Sequence, residues 1–287
     1  MKGQGNSVTA QPQWGETMSG SSKDDLERGS YDFGRFAESE LSRLVAQGSA
    51  TWPQERDLLE WAGLRSGQRV LDVGCGPGVI SGHLATVAGS SGSVVGVDIN
   101  DELLSVARQL NGDRVEHVCA SIYDLSRFAM SFDFVYVRLV FQHVAQPGDA
   151  MRQVLSTLKP GGYACVFDID ETMLGIYPPH PEMYRLLADT QRFQQQRGGD
   201  RFVGGKLAFY MRSAGFESVE PRVFLTTPEL TGVGSFLDAV LTWRPLLYPE
   251  DSRVEATRLV EAISDNAMRT MISGHNGAFV VKGMKPI

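Results

Sequence analysis

Residues 70–78 read Val70-Leu71-Asp72-Val73-Gly74-Cys75-Gly76-Pro77-Gly78, a short apolar run that breaks into glycines. Val70 to Val73 has no polar/apolar alternation apart from Asp72, as expected of a strand covered on both faces. Behind it Val79, Ile80, His83, Leu84 and Val87 recur at helical spacing, so the segment reads as strand, glycine turn, helix. Glycines there let the backbone approach a ligand where a Cβ would collide, and the helix start offers unpaired N–H groups. Something flat or anionic is expected to bind. A dinucleotide fingerprint would need a third glycine at position 79, which is Val79. Asp98 follows at the end of the next apolar run, where a carboxylate can accept hydrogen bonds from both hydroxyls of a ribose. A nucleoside is therefore the ligand class the segment favours.

Outward from this point the sequence alternates apolar runs with helical stripes, the pattern of βαβ units on a parallel sheet. Strands are expected at Val94–Val97, Val115–Cys119, Phe134–Val137 and Tyr163–Ile169, then near Val219–Leu225 and at Ala278–Val281. Leu103, Val106, Ala107 and Leu110 form one helix, closed by Asn111-Gly112. Met151, Val154, Leu155 and Leu158 form another, stopped by Lys159-Pro160-Gly161-Gly162, and Leu207–Ala214 a third, ended by Gly215. The fold class is α/β: a doubly wound, mostly parallel seven-stranded sheet. Before it, Phe33, Phe36, Leu41, Leu44 and Val45 mark one helical stretch, with Leu58, Trp61 and Ala62 marking a second after Pro53. The expected organisation is a flexible tail at 1–30, poor in apolar residues, N-terminal helices at 31–64, and the α/β domain at 65–287. Lid insertions interrupt that domain at about 171–204 and 226–274.

The composition narrows the function classes. Apolar residues make up 42% and charged residues 21% of the 287, and a net charge of −7 argues against nucleic acid or anionic membrane as partners. No apolar run approaches the roughly 20 residues of a spanning helix, and the N-terminus lacks a secretory apolar stretch, so the expected location is the cytoplasm. Cys75, Cys119 and Cys165 are odd in number and outside any C-x-x-C, and read as small buried residues rather than disulfides or zinc ligands.

Four motifs in order, VLDVGCGPG at 70–78, VVGVDIN at 94–100, FDFVYVRLVFQHV at 132–144 and LKPGGY at 158–163, resemble the class I S-adenosylmethionine-dependent methyltransferases. The resemblance covers residues 55–170 firmly and 200–285 loosely, and implies a Rossmann-like fold with S-adenosylmethionine as cofactor. It implies that Gly74, Cys75 and Gly76 face the methionine part, that Gly78 also belongs to the cofactor-binding residues, and that Asp72 anchors the amino group. Asp98 would hold the ribose and Ile99 cover one adenine face. Ala120-Ser121-Ile122 falls where relatives often have Gly-Asp-Ala, so Ser121 and the Ile122 backbone would bond the adenine edge. Arg138 would bond the cofactor's carboxylate.

Methyl transfer from a sulfonium relies on alignment and exclusion of water more than on covalent help. Where a base is needed, His143 is the candidate, just beyond the fourth strand. His83 has core spacing, and His117, His180 and His275 read as surface groups. Asp168, Asp170 and Glu171 resemble a magnesium site, but with no fourth ligand they read as an acidic strand end, and no metal is expected. Residues 171–248, just over a quarter of the chain, hold 11 of its 26 aromatic residues. That enrichment suits a lid over an apolar or aromatic acceptor, with Tyr31, Phe141, Asp168, Tyr177 and Tyr184 as substrate contacts. The expected function is methyl transfer to O, N or C of a small natural-product molecule, in secondary metabolism or antibiotic biosynthesis. Two alternatives stay open: C-methylation of an isoprenoid alkene through a carbocation that cyclises, and a non-catalytic S-adenosylmethionine-binding regulator. Self-association to a homo-oligomer is equally open.

Overall fold

The structure, a computed structural model, describes residues 37–287. The expected tail at 1–30, together with Tyr31, Phe33 and Phe36, lies outside the described residues. The described chain opens on α1 (Ala37–Ala62), followed by β1 (Arg69–Val73), α2 (Val79–Ala88), β2 (Ser93–Asp98), α3 (Asp101–Asn111), β3 (Glu116–Cys119), β4 (Phe132–Arg138), α4 (Pro147–Thr157) and β5 (Leu158–Tyr177). Then come α5 (Met183–Gln196), α6 (Leu207–Ala214), β6 (Glu217–Thr226), α7 (Val233–Val240), α8 (Arg253–Arg269) and β7 (Ser273–Met284). The sheet runs β3-β2-β1-β4-β5-β7-β6. The first five strands are parallel, and β7 lies antiparallel between β5 and β6.

The period of two along each strand explains the continuous apolar runs. Leu71, Val73, Val135 and Val137 pack on one face with Met151 and Val154 of α4. Val70, Phe134, Tyr136 and Cys165 pack on the other with Ile80 and Leu84 of α2 and Leu59 of α1. Both faces exclude water, so neither tolerates polar residues without a partner. Asp72, on the α2 side, has one: the Ser81 hydroxyl donates to its Oδ2 at 2.6 Å. Asn100 caps α3 by accepting from the Leu103 N–H at 3.0 Å, which leaves Asp98 for another task.

The two expected N-terminal helices are one continuous helix of 26 residues with Pro53 inside it. An interior proline costs about 3 kcal/mol, and contacts on both sides of it hold the helix through the break. Trp52 stacks on His83 of α2, ring centroids 4.7 Å apart. Glu55, 1% exposed, accepts from the Tyr136 hydroxyl at 3.0 Å and from Arg138 Nε and Nη2 at 2.9 and 2.8 Å. His83 is thus a half-buried stacking partner rather than a core residue. His117, expected at the surface, is half-buried on β3, and its Nδ1 has no hydrogen-bond partner among the described residues. Cys119, expected buried, is exposed because β3 is an edge strand.

Residues 171–177, expected as the start of an insertion, extend β5 instead. Past a register shift, Leu174 to Tyr177 pair with Asn276 to Ser273 of β7. The lid proper begins beyond this extension and builds its own core, in which Leu186 of α5 meets Phe236 and Leu237 of α7 and Val260 and Ile263 of α8. Among the described residues, no helix is long and apolar enough to cross a membrane.

Gly78 caps α2 in a left-handed conformation, φ +79°, and a Cβ there would sit 2.7 Å from the Ala107 Cβ and 2.6 Å from Asn111 Nδ2. Its carbonyl accepts from that same Asn111 nitrogen at 2.8 Å. Gly78→Ala is expected to cost about 2–4 kcal/mol of unfolding free energy, from backbone strain plus forced separation of α2 and α3. Glu55→Ala is expected to cost about 3–5 kcal/mol, because it strands the Arg138 charge beneath α1. Urea denaturation of each variant against the parent protein checks both values.

Candidate active site

β1 and β4 are neighbours in the sheet, and the loops leaving their carboxyl ends border a cavity of about 310 Å³. Its floor is the expected glycine turn. Gly76 has φ +51°, and a Cβ built on it meets no atom within 4 Å, so the open space in front of it is available to a ligand. The Gly76 N–H donates to Asp98 Oδ2 and the Asn100 N–H to Oδ1, each at 2.9 Å. These bonds fix the Asp98 carboxylate while leaving each oxygen capacity for a further hydrogen bond. Burial raises its pKa, opposed by the same N–H groups. Ile99 is 42% exposed in the cavity wall, an unusual setting for a large apolar side chain and a suitable one for a flat ring.

Asp72, Gly74, Cys75, Ser121, Ile122 and Arg138 complete this end of the cavity. Asp72 is pushed up to about 7, chiefly by burial, with the Ser81 hydrogen bond and the Arg138 charge pulling the other way. Burial likewise pushes the Cys75 thiol up, so it is a wall group rather than a nucleophile. Ser121 Oγ accepts from the Tyr123 N–H at 3.2 Å and keeps its own hydrogen to donate. Arg138 is largely committed: Nε and Nη2 donate to Glu55, and Nη2 also to Thr51 Oγ1 at 3.1 Å. Gly78, expected among the cofactor contacts, is absent from the cavity wall and buried beneath α3.

The far end of the cavity departs from expectation. His143 does line it, on the turn after β4, with Gln194 Nε2 3.4 Å from its Nδ1. Burial, then the charges of Arg201 and Arg43, hold its pKa down to about 3. The imidazole is neutral and a feeble base. Phe141 is wholly buried in the sheet core, because the single turn that carries it points inward. Asp168 is also fully buried, its oxygens accepting from the N–H groups of Gln142 at 3.1 Å and Ile169 at 2.8 Å, and burial lifts its pKa to about 7. It braces the turn that carries His143 and does not reach the cavity wall. Tyr177 and Tyr184 are 72% and 70% exposed on the outside of the lid. Of the eleven aromatic residues in 171–248, Trp243 alone reaches the wall, while Phe193, Phe236 and Tyr248 pack the lid on itself.

The acidic trio is dispersed. Asp170 accepts from Thr172 and from the Gly205 N–H, whereas Glu171 turns into the cavity wall toward two arginines. Among the described residues no three His, Cys, Asp or Glu side chains could hold a metal ion. Gln142, Gln194, Arg201 and Arg244 were not expected in the site. Arg201 donates to Gln142 Oε1 at 2.7 Å and to Gln194 Oε1 at 3.2 Å, and both Arg201 and Arg244 donate to Glu171 Oε1 at 2.8 Å. One signal was available: Met183, Leu186, Thr190 and Gln194 form a single helical stripe, and its last two members are polar residues aimed inward.

Residues 71–166 match a family described as a methyltransferase domain. The chain is 33% identical over 140 residues to a ubiquinone/menaquinone biosynthesis C-methyltransferase of Ectopseudomonas mendocina, an alignment covering 47% of this chain and 55% of that one. A 37.1 kDa uncharacterised transposon protein of Streptomyces fradiae is 33% identical over 161 residues, 55% of this chain and 46% of its own. The chain therefore spans about half the length of these curated relatives. Among solved structures, a putative methyltransferase of Bacillus halodurans superposes with a TM-score of 0.57 at 18% identity, covering 81% of this chain and 98% of the other. The family match runs from the first strand through the fifth, across the glycine turn and Asp98, so that this third of the chain carries a methyltransferase domain on the fold the solved structure shares.

Proposed function

We propose that the protein moves the methyl group of S-adenosylmethionine to a small acceptor held under the helical lid. The observation that carries this reading is that one cavity joins the glycine turn and Asp98 to the lid residues Arg201, Trp243 and Arg244, so a nucleoside and a second molecule can share one continuous space. The residues present fit the cofactor. Asp98 offers two oxygens to ribose hydroxyls, Ile99 a shelf to the adenine, and Ser121 and the Ile122 backbone a polar edge. Asp72 stands ready to pair with an ammonium, and the Arg138 guanidinium, fixed by Glu55, faces the carboxylate with its remaining Nη1. Bound there, the cofactor supplies an electrophilic methyl on sulfur.

The protein's own contribution is positioning. The lid helices cover part of the cavity, and the rigid bonds behind Asp98 and Arg138 hold the alignment that an in-line displacement needs. His143 serves as a neutral hydrogen-bonding group on the acceptor side, because a conjugate acid with a pKa of about 3 gives little driving force for proton abstraction. An acceptor that attacks as carbon or as an anion suits this site, and the naming of relatives for C-methylation in quinone biosynthesis supports carbon. We read the acceptor as an apolar or aromatic natural product.

Incubation of the protein with methyl-labelled S-adenosylmethionine and a panel of aromatic, quinol and isoprenoid acceptors is expected to give labelled product with at least one class; cofactor binding without any transfer sinks the reading. In calorimetry, Asp98→Ala is expected to weaken S-adenosylhomocysteine binding about 30-fold or more, through loss of charge-assisted hydrogen bonds. Asp72 gives a pH test. In the free protein its carboxyl ionises near 7, and an ammonium beside it stabilises the charged form. Binding therefore releases a proton below that point, and cofactor affinity rises as pH rises through about 7. Asp72→Asn is expected to flatten the rise.

A further inference from the structure

The lid end of the cavity carries a buried charge excess. Arg201 and Arg244 are 7% and 1% exposed, and both are paired to the same carboxylate, Glu171. Two guanidinium charges against one carboxylate leave a surplus of one positive charge. Asp168, the other acid whose charge reaches Arg201, is lifted to about 7 by burial, and its oxygens are taken by two backbone N–H groups. The neutral His143 beside them adds no charge. A buried cation without a counter-ion is costly, and folded chains pair such charges. Among the described residues, Arg244 donates to the Val240 carbonyl at 2.6 Å, Thr190 Oγ1 at 2.7 Å and Glu171 Oε1 at 2.8 Å. A guanidinium has five hydrogens to give, so each terminal nitrogen of Arg244 keeps one.

A tie between lid and sheet needs only one of these arginines. Glu171 closes β5 onto the segment after α5 through Arg201, and the second arginine adds charge rather than connection. The lid still presents that charge to the cavity and flattens both guanidinium groups against one ring: Arg201 lies 4.3 Å and Arg244 4.7 Å from the centroid of Trp243. The wall around them mixes the apolar Ile169, Val240, Leu246 and Leu247 with the polar Gln142 and Gln194, which Arg201 already holds.

We infer that Arg201 and Arg244, stacked on Trp243 and sharing Glu171, form a recognition site for a carboxylate carried by an otherwise apolar acceptor. A single surplus charge matches a carboxylate better than a phosphate monoester, which brings close to two negative charges. The fork of a guanidinium also suits the two oxygens of a carboxylate. Burial drags Arg244 down to about 10, with Glu171 opposing it, and an anion in the pocket relieves that strain on the charged form. The name acceptor rests on the methyltransferase reading, whereas the anion site rests on the arginines alone.

Ligand-observed NMR titrations of the full chain with benzoate, benzamide and phenyl phosphate test the inference. Benzoate is expected to saturate at millimolar concentration and to bind about tenfold more tightly than benzamide, its uncharged match in shape. Arg244→Gln is expected to abolish that preference. The comparison of the three probes is made with and without saturating S-adenosylhomocysteine, which occupies Arg138. A benzoate preference that persists beside it decides for the lid arginines, and one that vanishes decides against them, even if the substitution unfolds the lid. Absence of benzoate binding, equal binding of benzamide, preference for phenyl phosphate, or an unchanged preference in a folded Arg244→Gln protein each overturns the carboxylate site. Titration of the same sample with S-adenosylhomocysteine separates the two claims. Cofactor binding without benzoate preference removes the carboxylate site alone, and benzoate preference without cofactor binding removes the methyltransferase reading alone.

Discussion

β1 and β4 lie side by side, yet the helices that follow them leave toward opposite faces of the sheet, α2 with one apolar cluster and α4 with the other. The two chains must part where the strands end, and the parting opens a crevice that no side chain of either layer can fill. The candidate site is arranged around that gap. Glycines floor it because the backbone itself is the wall, and Asp98 and Arg138 stand on either side, each immobilised from behind by hydrogen bonds.

How much of this could be read from residue order depends on the range of the forces involved. Strands buried on both faces betray themselves as unbroken apolar runs, and Asn100, Gly112 and Gly215 punctuate helices by local backbone chemistry. Those elements were accordingly legible, and so was the gathering of Asp72, Gly74, Gly76, Asp98 and Ile99 around one cavity. Gly78 was misassigned because a glycine needed for close helix packing looks the same in sequence as one that touches a ligand. The unbroken helix through Pro53 was hidden, since its anchors, Glu55 to Arg138 and Trp52 to His83, join positions far apart in the chain.

The far end of the cavity is the least legible in the sequence, for a related reason. Aromatic enrichment in the lid signalled apolar burial, but most of that burial serves the core shared by α5, α7 and α8 rather than the cavity. The walls are instead supplied by polar residues at buried helical positions, Gln194 among them, and by arginines that composition alone assigns to the surface. A buried charge becomes visible only when its partner is known, and here Glu171 lies 73 residues from Arg244.

The length of β5 has a mechanical consequence. Its twenty residues pass from the centre of the sheet to the root of the lid, and β7 is laced to them along most of that distance. A ribbon fastened in this way resists bending far more than a single loop does, so the lid stands on a stiff stalk. The distance between the crevice and the core shared by α5, α7 and α8 is thereby set by the sheet itself rather than by a loop.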